Sequence, residues 1–153
     1  MTRFAHRLTG LATVLRLAPV YVALGLAKHV VRVDRLARWA WRPPRSTPPS
    51  RLEQQRIVSL VLRLGRATGQ PERDCLERSL LLYRELSRAG ADPRLVMGFR
   101  RDGARLAGHA WVERDGRPVT TESIGAEGFD ATWTFGPGGR LLEPDSSRTV
   151  RAS

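Results

Sequence analysis

The sequence predicts an α+β domain in which one long helix packs against a small antiparallel sheet and is preceded by basic amphipathic helices. Three observations lead there. Helical periodicity is confined to the residues before Gly90, two helix starts carry capping-box spacings, and beyond Pro93 short apolar runs alternate with Gly-containing turns. Helices followed by a meander of strands segregate onto one side of a sheet, so a site built from both should lie where helix and sheet meet.

From Phe4 to Trp41 the chain is rich in Leu, Ala and Val, with Arg recurring as at Arg32, Arg35, Arg38 and Arg42. This pattern predicts basic amphipathic helices broken near Pro19. Their apolar faces, including Leu8, Leu11, Leu15 and Trp39, are expected to complete a core or a partner interface rather than to lie on lipid. Residues 1–41 are therefore taken as an N-terminal basic, hydrophobic helical segment. Four prolines in Arg42–Ser50 (RPPRSTPPS) forbid helix and mark residues 42–50 as a linker. Ser50 with Glu53 has capping-box spacing and opens a helix through Leu52, Ile57, Leu60, Val61 and Leu64 to Gly65. A loop through Gly69, Gln70 and Pro71 follows. Asp74 with Glu77 repeats the spacing and opens a helix through Leu76, Leu80, Tyr83 and Leu86 that stops at Gly90.

The strands are expected at Leu95–Phe99, Gly108–Glu113 and Pro118–Glu122, joined by tight turns at Asp102-Gly103 and Asp115-Gly116. A further pair, Ala131–Phe135 and Arg140–Leu142, flanks Gly136–Gly139. The catalytic domain is thus expected over residues 51–143, and residues 144–153 form a frayed tail with little to bury.

A chain of 153 residues, 41% hydrophobic and 27% charged, supports one cored domain. The single cysteine, Cys75, excludes an intramolecular disulfide framework and any multi-cysteine metal site, which suits a cytoplasmic location. The net charge of +11 is uneven, with nine Lys/Arg against one acid in residues 1–50 and seventeen against fourteen in residues 51–153. Nucleic acid is a poor match for this charge, because it lies on helices of core-like hydrophobicity and lacks interleaved aromatics. The apolar run Leu17–Ala27 contains Pro19 and is shorter than the roughly 20 residues that span a bilayer. Arg16 interrupts it as a secretory signal, and peripheral membrane contact is not favoured over packing. No metal-ligand spacing and no phosphate-binding Gly loop is found, so no cofactor is expected in this chain.

Cys75 falls at the first helical position after Asp74, where unpaired N–H groups and the helix dipole favour a thiolate. A cysteine in a core helix is more often an inert hydrophobe, so the assignment needs a histidine partner. His6 and His29 sit in the basic helices, whereas His109 lies in the strand Gly108–Glu113. There His109, Trp111 and Glu113 point one way and Ala110 and Val112 the other, so the imidazole shares its face with a large aromatic. If Asp115-Gly116 forms a two-residue turn, Val112 comes opposite Val119, Ala110 opposite Thr121 and His109 opposite Glu122. Glu122 would then orient the ring as the third member of a Cys-His-acid set, while a one-residue change in the loop would bring Thr121 or Ser123 there instead. The Cys75 N–H is a candidate oxyanion donor. Gln70 could add a side-chain amide or be a plain loop residue, Trp111 reads as core, and Trp133 and Phe135 either edge the cleft or form a hairpin's buried face.

The segment Cys75-Leu76-Glu77-Arg78-Ser79-Leu80, then Gly98-Phe99-Arg100, then Gly108-His109-Ala110-Trp111-Val112-Glu113 with its Asp115-Gly116 turn resembles the lasso-peptide maturation proteases of the transglutaminase-like superfamily. The resemblance implies a transglutaminase-like, papain-like cysteine protease fold with the catalytic Cys75 at a helix N-terminus and His109 on the sheet. It implies a leader peptidase acting on a ribosomally made precursor peptide, together with a separate leader-recognition protein and an asparagine-synthetase-like macrolactam cyclase that uses the ATP. The departure is the acid, since the family usually offers Asp at the end of the strand after the Asp-Gly turn and this chain reads Thr120-Thr121-Glu122. Two alternatives stand beside this reading: a transglutaminase-like acyltransferase, and a non-catalytic scaffold for a peptide-maturation complex.

Overall fold

The computed structural model describes residues 2–45, 47–67, 74–120 and 128–142, with side chains from Leu15 onward except those of Asp102 and Ala131. Its centre is the helix α4 (Cys75–Ala89). Leu80, Leu81, Leu82, Tyr83 and Leu86 are all buried and no residue of α4 is fully exposed, so α4 is covered around its circumference rather than along one stripe. Helices α1 (Thr2–Ala27), α2 (Val33–Ala40) and α3 (Arg51–Ala67) pack against it, and the sheet covers its remaining side. At its end Gly90 takes the left-handed conformation (φ 87°), which lets the Ala91 N–H donate to the Leu86 carbonyl and stops the helix where the sequence predicts.

The start of α4 differs from the capping box its spacing suggests. Asp74 is the capping residue but its carboxylate makes no cap bond, and Oδ2 instead accepts from the Tyr21 hydroxyl at 3.3 Å. Glu77 is buried and paired with Lys28 Nζ at 2.5 Å. Both acids are drawn away from the helix end by α1 and the turn that follows it.

α1 is not broken near Pro19. It runs unbroken to Ala27, and the chain turns over Lys28–Arg32 before α2. Pro19 faces solvent, while Leu17, Tyr21 and Leu24 are buried on α4 and Arg16 Nη2 pairs with Glu85 Oε2 at 2.6 Å. These contacts on both sides of Pro19 offset the ~3 kcal/mol that an interior proline costs a helix. The buried stripe is Leu17, Tyr21 and Leu24, then Leu36, Ala37 and Ala40, whereas Leu15 and Trp39 are exposed. The side chains of Leu8 and Leu11 lie outside those described.

The proline-rich segment after α2 is non-helical as expected and crosses the C-terminal end of α4, where Arg45 N donates to Arg88 O (3.1 Å) and Arg42 N to Ser87 Oγ (3.3 Å). Ser50 Oγ accepts from Glu53 N at 3.2 Å and so caps α3. In α3, Gly65 is buried because the Arg78 side chain runs past it, with Cδ 2.4 Å from where a β-carbon would sit.

The sheet contains β1 (Arg94–Asp102), β2 (Arg105–Arg114), β3 (Arg117–Pro118), β4 (Asp130–Phe135) and β5 (Leu141–Leu142), in the antiparallel order β3-β2-β1-β4-β5. β1 and β2 outrun their apolar cores and stay paired up to Asp102 and Arg105, since a tight hairpin carries main-chain bonds to its tip whatever the side chains. Asp115 (φ 52°) and Gly116 (φ 75°) form the expected two-residue turn, pairing Arg114 with Arg117. Leu95, Val112 and Phe135 join the helix-side core, while Val96, Trp111 and Phe129 form a second cluster on the other face. Tyr83 donates to Gly136 O at 2.5 Å, and burial pushes its phenol up to about 12. Among the described residues no helix is long and apolar enough to cross a membrane.

Two substitutions test this packing. Leu24→Ala, at a fully buried position on α1, should lower unfolding free energy by about 2–5 kcal/mol in urea titration. Gly139→Ala should also destabilise, since φ is +64° and the new methyl would meet Arg38 N at 2.4 Å. A Leu24→Ala protein as stable as the parent would mean that α1 does not belong to the core.

Candidate active site

β2 carries the histidine. Strand alternation sends Val112 toward α4 and leaves His109, Trp111 and Glu113 on the opposite face, as the sequence pattern indicates. Trp111 is fully buried, and its Nε1–H donates to Glu113 Oε1 at 3.0 Å, which fixes the indole plane. The half-buried His109 ring stacks on Trp111, with centroids 6.0 Å apart and planes 19° apart, and packs on Phe129 at 5.4 Å. Arg100 Cζ lies 4.6 Å from the Phe129 centroid. Burial first, then the cations of Arg78 and Arg100, hold the imidazole below its ordinary value of 6.5. The ring is therefore neutral at neutral pH and has a lone pair with which to accept a proton.

α4 meets β2 at the strand edge. Val119 N donates to Val112 O at 2.9 Å, so the Val112 carbonyl points toward β3, and by alternation so does that of Ala110. The buried Ser79 Oγ donates to Ala110 O at 2.9 Å. Around this bond Arg78, Ser79 and Leu82 of α4 share a narrow cleft of about 30 Å³ with His109, Ala110 and Val112 of β2, and α3 closes one side. Cys75 is one turn before Ser79 on the same side of α4, ~6 Å back along the axis. Cys75 is a free, half-buried thiol, and no hydrogen bond joins it to His109.

The turn at Asp115-Gly116 has the form on which pairing of His109 with Glu122 depends, and Val119 on Val112 keeps that register. Glu122 and Gln70 themselves lie outside the described residues, as does the His6 side chain. His29 is exposed in the turn after α1. Phe135 belongs to the helix-side core and Trp133 stacks edge-on against Phe99 at 5.7 Å, so neither borders the cleft. Sequence reasoning missed Arg78, Ser79, Arg100 and Phe129. Arg78 and Ser79 were visible as the residues one turn after Cys75, whereas Phe129 and Arg100 reach His109 only through strand pairings distant in sequence. Among the described residues no three His, Cys, Asp or Glu side chains come close enough to hold a metal ion.

Residues 14–135, from within α1 to the end of β4, match the family model described as the transglutaminase-like superfamily. No curated protein and no solved structure matches the chain.

The His109 titration tests the electrostatics directly. Followed by NMR, its midpoint should fall below 6.5, and Arg100→Gln should move it upward, because removing a cation favours the imidazolium. A wild-type midpoint at or above 6.5 would mean that the ring is solvated.

Proposed function

Because the chain belongs to the transglutaminase-like superfamily, we propose that it is a cysteine endopeptidase that removes the leader from a lasso-type precursor peptide, with Cys75 as nucleophile, His109 as base and Glu122 as the orienting acid. The observation that carries the reading is the cleft shared by the first turns of α4 and the His109 segment of β2. The Cys-Leu-Glu-Arg-Ser-Leu start of α4, the His-Ala-Trp-Val strand and the Asp-Gly turn support the narrower assignment to leader removal.

In this mechanism Cys75 Sγ attacks the leader–core carbonyl while its proton passes to His109. The oxyanion is met by N–H groups of the first turn of α4, which have no intrahelical acceptor and which Asp74 leaves uncapped. Each such donor contributes about 3 kcal/mol where one has been removed in other enzymes. His109 returns the proton to the departing amine, leaving an acyl-thioester. Water then attacks, giving its proton to His109, and the thiol is restored as the acid product leaves. An imidazole held below its ordinary basicity is neutral for the first step and a stronger acid for the second. Trp111 and Phe129 keep water from its faces. Glu122, one carbon longer than the family's Asp, would reach the ring from beyond Thr120. The precursor would be presented by a separate leader-recognition protein, and the cyclase would spend the ATP, so this chain needs no cofactor.

Mass spectrometry of a precursor peptide incubated with the protein and its leader-recognition partner tests the assignment. Cys75→Ala should reduce leader release to background, and Glu122→Gln should slow it roughly a hundredfold or more. Undiminished processing by Cys75→Ala would leave the scaffold reading, and a product joined to an amine instead of carrying water would identify an acyltransferase. In the active enzyme the acid limb of the rate profile should lie below pH 6.5 and move to higher pH in Arg100→Gln.

A further inference from the structure

A second concavity lies on the side of α4 turned away from the cleft. Arg84 and Arg88, one turn apart, project about half a helical rotation from Cys75. The segment after α2 adds Arg42 and Arg45, tied down by the bond from Arg45 N to Arg88 O. These four arginines and Pro43 line a cavity of about 240 Å³.

Acid is scarce there. The adjacent Glu85 is buried and holds Arg16 at 2.6 Å, with Arg84 Nε 4.0 Å away. Arg42 and Arg84 have partial duties: each donates to the Trp39 carbonyl, at 2.8 and 3.4 Å, and each lies over the indole, at 5.7 and 5.1 Å from its centroid. The guanidiniums of Arg45 and Arg88 make no hydrogen bond or ion pair among the described residues. Burial, and after it the charges of Arg42, Arg88 and Arg16, lower the basicity of Arg84, as expected of like charges crowded together.

We propose that this cavity docks an acidic peptide segment of a partner polypeptide, whose carboxylates are gripped by Arg45 and Arg88 with Arg42 and Arg84 flanking them. Guanidinium forks match carboxylates two bonds at a time, and a concave cluster of them is satisfied only by several negative groups at once. A single-stranded nucleic acid would need an aromatic platform for its bases, and the nearest indole, Trp39, already carries two guanidiniums. The inference is independent of the role of Cys75, since the two sites lie on opposite sides of α4.

Fluorescein-labelled hexaglutamate, titrated into the full chain and read by anisotropy, tests it. Arg45→Gln with Arg88→Gln should weaken binding roughly tenfold or more. The control Arg56→Gln with Arg63→Gln removes the same charge from the exposed face of α3 and should change it less than about twofold. Arg45→Gln alone, in the exposed segment, keeps the comparison valid if the double variant melts early. Equal weakening by both pairs, or no binding of hexaglutamate, overturns the proposal. Tighter binding of a short single-stranded oligonucleotide that is lost in the Arg45/Arg88 pair also overturns it in favour of a phosphate ligand.

Discussion

The structure turns on the burial of α4 from every side. A helix with Leu80, Leu81, Leu82, Tyr83 and Leu86 all withdrawn from water needs neighbours around its full circumference, and the sheet supplies only one of them. α1, α2 and α3 supply the rest. Burial also traps two carboxylates, Glu77 and Glu85, and a buried charge left unpaired costs several kcal/mol. Arg16 of α1 and Lys28 just after it meet them, so the N-terminal segment is required electrostatically as well as sterically. Such pairs add little over a well-packed apolar alternative, but breaking one is expensive, and that asymmetry fixes where α1 can dock.

The same contacts shape the start of α4. With Asp74 turned to Tyr21 and Glu77 turned to Lys28, neither acid closes over the first turn as a capping box would. Among the described residues no side chain caps the first-turn N–H groups beside Cys75, one turn before the Ser79 that meets β2. Packing far from the thiol thus decides what stands next to it.

Local rules made much of this legible. The Ser50 cap, the stop at Gly90, the Asp115-Gly116 turn and the alternation of β2 each depend on a few adjacent residues, and each appears where the sequence pattern puts it. The readings that failed depend on tertiary partners. Pro19 was read as a break because local chemistry penalises it, but Leu17, Tyr21 and Leu24 hold the helix through it. Leu15 and Trp39 are expected from their hydrophobicity in a core or a partner interface, and the stripe facing α4 passes them by, which leaves the second. For the site, Cys75 and His109 could be nominated from helix-start and strand chemistry. The lowered basicity of His109 could not, because Arg78 and Arg100 come to it from a helix and a neighbouring strand.

The ion pair between Arg16 and Glu85 spans sixty-nine residues of sequence. During synthesis α1 leaves the ribosome before α4, and the helix that covers its apolar stripe follows only after the proline-rich segment and α3 have been made. For that interval Leu17, Tyr21 and Leu24 have no native surface to bury against, which exposes the nascent chain to aggregation and to chaperone capture. The apolar stripe of α1 thus waits for its cover until α4 has been made.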